Sequence, residues 1–231
     1  MPNTTATHPI VLGITGHHNT GKTTVAQLLE AHANARAMAF SDGIYAEVAS
    51  AYSCISIDLA NRPSKNQPQP QRLLSLAYCA DPDFVQTAIE HLQGGIYTPH
   101  SPRTILELWG SEYRRSQNAS YWINKTRARI TTLLACPCPR PIVLADVYKR
   151  NEAEMIRNMG GTIWRIERPG HEQHTAHPTS TEHLQIQADL TLHNIADVGH
   201  LQHLVLTHWH ELLRHGQITP HAPTLKANNY S

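Results

Sequence analysis

The stretch Ile10-Val-Leu-Gly-Ile-Thr15-Gly16-His17-His18-Asn19-Thr20-Gly21-Lys22-Thr23-Thr24 decides how the rest of the chain is read. Its first six residues form an apolar run that reads as a buried strand. Gly16 to Thr23 then fits G-x-x-x-x-G-K-[ST]. From Lys22 onward Val25, Leu28 and Leu29 recur at helical spacing. Strand, glycine-rich turn and helix, in that order, form the context in which this pattern cradles phosphate. The glycines let the backbone turn tightly enough for several N–H groups to converge on one oxyanion. The helix adds the positive end of its dipole. In that geometry Lys22 is the candidate to bridge the β and γ phosphates of ATP, and Thr23 to hold Mg²⁺. Gly16, Asn19, Thr20, Gly21 and Thr24 complete the nucleotide-binding loop.

Outward from this loop, strands and helices alternate. Arg36 to Phe40 reads as a short strand ending at Ser41-Asp42, and Asp42 to Tyr52 as a helix with Ile44, Val48 and Ala51 on one face. Asn61 to Pro70 is polar and proline-rich, hence a loop. Gln71 to Gly94, broken near Asp81-Pro82, and then Pro102 to Ser116 and Ala119 to Ala135 read as helices. Pro141 to Asp146 is the cleanest buried strand. It places the Asp146 carboxylate at a strand end, on the same edge as the loop, as a candidate Mg²⁺ ligand. A helix at 151–159 stops at Gly160-Gly161. Strands at 162–167 and 190–193 and a long amphipathic helix at 197–215 follow.

The pattern implies an α/β fold, a parallel β-sheet flanked by helices. The expected organisation is one P-loop domain over 1–231, with its core at about 8–60 and 140–216. A helical insertion at about 61–135 is expected over the active edge, and a polar tail at 217–231.

Composition narrows the function classes. The 231 residues carry 19 Lys and Arg against 18 Asp and Glu, a balance that argues against a nucleic-acid binder. No apolar run is long enough to cross a membrane, and Met1 to His8 lacks the apolar stretch of a signal peptide. Cys54, Cys79, Cys136 and Cys138 match neither a zinc ribbon nor a CxxC motif, and are read as reduced thiols of a cytoplasmic protein. His171, His174 and His177 recur every third residue, but His171-Glu-Gln-His174 is one residue short of HExxH, so zinc is not the favoured reading.

The insertion gathers Arg103, Arg114, Arg115, Lys125, Arg127 and Arg129, and the preceding loop Arg62 and Lys65. Cations in such number could clamp a second anion, although a solvated helix face explains them equally well. Trp109, Tyr113, Tyr121 and Trp122 lie among them. They could stack a base, and packed core aromatics are the commoner explanation.

Taken in order, these motifs resemble the deoxynucleoside monophosphate kinases of tailed bacteriophages, from about Ile10 to Leu206. The resemblance rests on the P-loop, Phe40-Ser41-Asp42, Arg62 with Lys65, and Leu108-Trp109-Gly110-Ser111-Glu112-Tyr113-Arg114-Arg115. It continues through Tyr121-Trp122, Asp146-Val147-Tyr148-Lys149-Arg150-Asn151-Glu152, Gly160-Gly161, Arg168-Pro169-Gly170, Thr181-Glu182, and Asp189 with Asn194. It departs at Tyr148, where the family pattern has arginine, at Ser111 for threonine, and at His17-His18.

The resemblance implies a P-loop kinase fold. It implies transfer of the γ-phosphoryl of ATP–Mg²⁺ to a deoxynucleoside monophosphate in the host cytoplasm, and it leaves a homodimer open. Lys22, Asp146 and Arg168 would be catalytic, Arg168 as a lid arginine. Asp42, Arg62, Lys65, Arg103, Trp109, Glu112, Arg115, Tyr121 and Trp122 would serve the acceptor. Two other readings stand beside it: a kinase of a hydroxyl acceptor with Asp42 as base, and a non-catalytic ATP-binding switch.

Overall fold

The computed structural model describes residues 10–53, 74–171 and 182–215. The chain divides into two compact units. One comprises Met1–Ala37 with Cys136–Ser231, the other Met38–Ala135.

The first unit is built on a sheet. Its strands are β1 (Val11–Thr15), β2 (Arg36–Met38, whose last residue already belongs to the second unit), β3 (Ile142–Leu144), β4 (Thr162–Glu167) and β5 (Leu190–His193), in the order β2-β3-β1-β4-β5. The β1–β3, β1–β4 and β4–β5 pairings are parallel, and every residue of β1 and β3 is buried. Continuous apolar strands are what a sheet covered on both faces requires.

Helices α1 (Lys22–His32) and α7 (Val198–His215) pack on one face with Leu12 and Ile14, and Trp164 meets Trp209 edge-on at 6.4 Å. On the other face lies α6 (Arg150–Asn158), whose Ile156 comes so close to Gly13 that a Cβ there would sit 2.6 Å from its Cδ1. Glu152, 3% exposed, ties down the start of α6 by accepting the N–H of Tyr148 at 2.9 Å and of Lys149 at 3.0 Å. Asp189 locks β5 to β4 by accepting the Ile163 N–H at 2.7 Å while its own N–H donates to Ile163 O at 2.8 Å.

The second unit is helical: α2 (Asp42–Ala51), a 3₁₀ turn (Leu76–Tyr78), α3 (Pro82–His91), α4 (Pro102–Leu108), a π-helical stretch (Trp109–Arg115) and α5 (Tyr121–Leu134). Its core joins Val48 and Tyr52 to Leu76, Phe84, Ile105, Trp109 and Trp122. Asp81 caps α3 by accepting the Phe84 N–H at 2.9 Å, and Pro82 stands at the first turn, where its missing N–H costs nothing. Ser101 and Pro102 start α4 in the same way.

Two sequence-based expectations change here. The helical stretch expected over 71–94 with a break near Asp81-Pro82 is broken there, with α3 after the break, but before it only a 3₁₀ turn forms; residues 71–73 lie outside those described. The helix expected over 102–116 is α-helical only to Leu108 and then widens to π geometry. No helix among the described residues is long and apolar enough to cross a membrane.

Candidate functional site

The loop from Gly16 to Gly21 leaves the end of β1 and feeds α1. Gly16 (φ +136°) and Gly21 (φ +107°) both adopt conformations that favour glycine, and a Cβ on Gly16 would fall 2.3 Å from Ile166 O. Asn19 also has positive φ, +62°. Thr20 is buried and its hydroxyl donates to His17 O at 2.9 Å. Asn194, just past β5, donates from Nδ2 to Thr20 O at 2.9 Å, and its own N–H donates to Glu167 O at 2.7 Å. One buried amide thus braces the loop from the end of the neighbouring strands.

Among the described residues, the backbone N–H groups of residues 21–24, where α1 starts, make no backbone hydrogen bond. Successive unspent donors at a helix start are groups to which an anion could bind. Lys22 is 6% exposed; its Nζ donates to Gly16 O at 2.8 Å and to His17 O, and lies 5.2 Å from the centre of the Tyr148 ring. Burial lowers the Lys22 pKa to about 8, opposed by the negative charge of Asp146. At neutral pH the ammonium keeps its proton. That influence places the Asp146 carboxylate near the loop. Thr23, exposed on the first turn of α1, offers a second oxygen. Hydroxyl and carboxylate are hard donors that suit Mg²⁺, an ion that normally takes few protein ligands and completes its shell with waters and substrate phosphates.

The second unit holds a polar centre that the sequence reading did not single out. Glu47, on α2, accepts from Trp109 Nε1 at 2.8 Å, Arg114 Nε at 2.8 Å, Tyr121 OH at 2.5 Å and Lys125 Nζ. Its pKa is about 2. Burial alone would raise it, and the hydrogen bonds from Lys125, Tyr121, Trp109 and Arg114 outweigh that effect. Arg114 packs on the Tyr113 ring at 4.2 Å, and its guanidinium lies 3.6 Å from Asp81. Tyr113 OH donates to both Asp81 oxygens at 3.0 Å; burial, and then that bond, push its pKa up to about 12.

The π-helix explains why Trp109 and Arg114 meet one carboxylate. Five residues close one π turn, whereas in an α-helix they would point about 140° apart. Spacing at i, i+4 found Trp109 with Tyr113, whose rings meet at 5.3 Å, but not Arg114. The readable signal for Glu47 was only an acidic residue inside an apolar helix.

Of the acceptor-side candidates, Trp109 and Tyr121 therefore come together at Glu47. Trp122 is 2% exposed, donates from Nε1 to Gly110 O at 2.9 Å and packs over Gly43, as a core aromatic does. Asp42 accepts the Ala39 N–H at 3.1 Å and pairs with Arg129 at 3.3 Å. Arg103 pairs with Glu107 at 3.4 Å on an exposed helix face. Glu112 is exposed, 3.9 Å from His91, and Arg115 is half-buried. In the first unit, Arg168 is exposed in the turn after β4. Arg62, Lys65, His174, His177 and Cys54 lie outside the described residues. Cys79, Cys136 and Cys138 are free thiols, and among the described residues no group of three or more His, Cys, Asp or Glu could hold a metal.

The sheet order and the loop leaving β1 define an α/β fold, a parallel-stranded sheet flanked by helices with a glycine-rich loop between β1 and α1. No protein-family model matches the chain, and no curated relative matches it. Among solved structures, TT1252 from Thermus thermophilus is similar at a TM-score of 0.47 and 16% identity, covering 89% of this chain and 98% of that one. Dephospho-CoA kinase from Campylobacter jejuni is similar at 0.39 and 12%, covering 87% and 96%.

Proposed function

We propose that the protein is a deoxynucleoside monophosphate kinase, moving the γ-phosphoryl of ATP to the phosphate of a deoxynucleoside monophosphate and giving ADP and the diphosphate. The observation that carries the phosphoryl-transfer reading is the loop itself: unspent N–H groups over 21–24 around a charged, buried Lys22. The choice of acceptor rests on the ordered set of motifs from Phe40 to Asn194.

The chemistry asks little of the protein beyond placement. The attacking phosphate oxygen is already anionic, so no general base is required, and catalysis reduces to positioning and charge neutralisation. The loop N–H groups and Lys22 would bind the β and γ phosphates of ATP. Thr23 and Asp146 would hold Mg²⁺, which supplies further charge neutralisation when bound. Arg168, exposed beyond β4, would close over the phosphates and help to exclude water. Trp109 and Tyr121, fixed by Glu47, are the candidates to shape the acceptor side. Asp42, the base a hydroxyl acceptor would need, is engaged with Ala39 N–H and Arg129, which favours a phosphate acceptor.

The test is ADP release from ATP–Mg²⁺ with each deoxy- and ribonucleoside monophosphate in turn, against a control without acceptor. Stimulation by one or a few deoxynucleoside monophosphates is expected. Stimulation by nucleosides instead would move the reading to a hydroxyl acceptor. ATP binding without any acceptor-dependent turnover would move it to a switch.

A further inference from the structure

Tyr148 lies in the short connection between β3 and α6, and its backbone is pinned by the Glu152 carboxylate. Its ring is held by imidazoles of the same unit. His18, on the phosphate loop, stacks on it with centroids 5.4 Å apart and planes at 29°. His183, 3% exposed, meets it edge-on at 6.1 Å and meets His17 edge-on at 4.6 Å. The 3₁₀ turn carrying His183 is itself anchored: Glu182 accepts the Arg150 N–H at 3.1 Å and lies 3.7 Å from Lys149 Nζ, and Arg165 donates to His183 O at 3.3 Å. The neighbouring cation Lys149 is thus turned to Glu182; from this connection Lys22 meets the charge of Asp146 and, 5.2 Å from Nζ, the ring of Tyr148.

A ring suits that place. The buried ammonium has lost water, and a ring face attracts it without neutralising it. A ring locked between two imidazoles also limits the rotamers of a long side chain before ligand arrives, so less freedom is lost on binding.

We propose that Tyr148 is a positioning residue for Lys22: its ring, held by His18 and His183, keeps the ammonium at the phosphate loop and sets how tightly the loop binds the polyphosphate of a nucleoside triphosphate. The inference rests on the reading of Lys22 as a phosphate-binding residue.

Calorimetric titration of the full chain with ATP–Mg²⁺ tests it, using Tyr148→Phe, Tyr148→Leu, Lys22→Ala and the double variant Lys22→Ala/Tyr148→Leu, each checked by circular dichroism. Tyr148→Phe keeps the ring and is expected within about twofold of the wild type. Tyr148→Leu is expected to weaken binding on the order of tenfold. In the Lys22→Ala background the same leucine is expected to cost less than about twofold, because its effect passes through Lys22. An equal loss in both backgrounds, a phenylalanine as weak as the leucine, or a leucine without loss would each overturn the proposal. A wild-type chain that binds no ATP would instead overturn the phosphate-loop reading beneath it.

Discussion

Arg114 Nε donates to Glu47 Oε2 at 2.8 Å, joining the π-helical stretch to α2 across 67 residues of sequence. With Trp109 on the same oxygen, and Tyr121 and Lys125 on the other, Glu47 has its acceptor positions filled by the protein. It therefore organises the side chains around it rather than receiving a ligand. Replacing it by alanine leaves Arg114 without its closest partner in a largely buried setting. Glu47→Ala is expected to cost about 2 kcal/mol, below the range for a fully buried pair because both side chains keep some solvent contact. The shift in urea midpoint measures it, and an unchanged midpoint would remove Glu47 from the stability of this unit.

The same carboxylate predicts an acid limb. Its ordinary pKa of 4.5 falls to about 2 in the folded protein, so the folded state takes up this proton less readily than the unfolded chain. The stabilisation is complete above about pH 4.5 and is lost as pH falls toward 2. Urea midpoints from pH 6 to 2 should fall more steeply for the wild type than for Glu47→Gln. Parallel curves would contradict the assignment.

At Gly16 the added Cβ of an alanine meets the backbone at Ile166 O, 2.3 Å away, with φ at +136°. Neither atom is the end of a flexible side chain. Gly16→Ala is expected to cost more than about 2 kcal/mol and to abolish ATP binding. Gly160→Ala is the control: φ is +76° but nothing lies within 4 Å, so about 1 kcal/mol is expected and ATP binding should survive. Thermal unfolding together with ATP titration separates the two.

Asn194→Ala removes the amide that braces Thr20 O. One lost hydrogen bond corresponds to about 1 kcal/mol. Because the bond lies under the loop, a several-fold rise in the KM for ATP is expected with kcat little changed. A fall in kcat alone would point to a role in the chemical step.

Lys22→Ala is expected to lower phosphoryl transfer by on the order of 10²–10³-fold with the circular dichroism spectrum unchanged. Single-turnover ADP formation is the measurement, and retained activity would take Lys22 out of the mechanism.

The sheet was legible because its signals are local. Pro141 to Asp146 reads as a buried strand, and β3 occupies Ile142–Leu144. The strand expected over 162–167 is β4, and Gly160-Gly161 stops α6 where a positive φ is needed. The loop between β1 and α1 was legible for the same reason, since two glycines, a lysine and three hydroxyls stand within nine residues. The second unit was not. A π-helix has no composition of its own. The reading over 102–116 followed the α period through Trp109 and Tyr113 and could not register that the widened turn brings Arg114 round to the same carboxylate.

By itself the sequence determined what short-range chemistry encodes: the order of elements, the buried strands, and the loop whose glycines and Lys22 suit a phosphate. Tertiary structure alone decided which distant residues share an environment. It brought Glu47 to Trp109, Arg114 and Tyr121, Asn194 to Thr20, and Tyr148 with His183 to Lys22 and His17. Such pairings depend on where whole helices and strands pack. That is a property of the folded core, and no spacing along the chain records it.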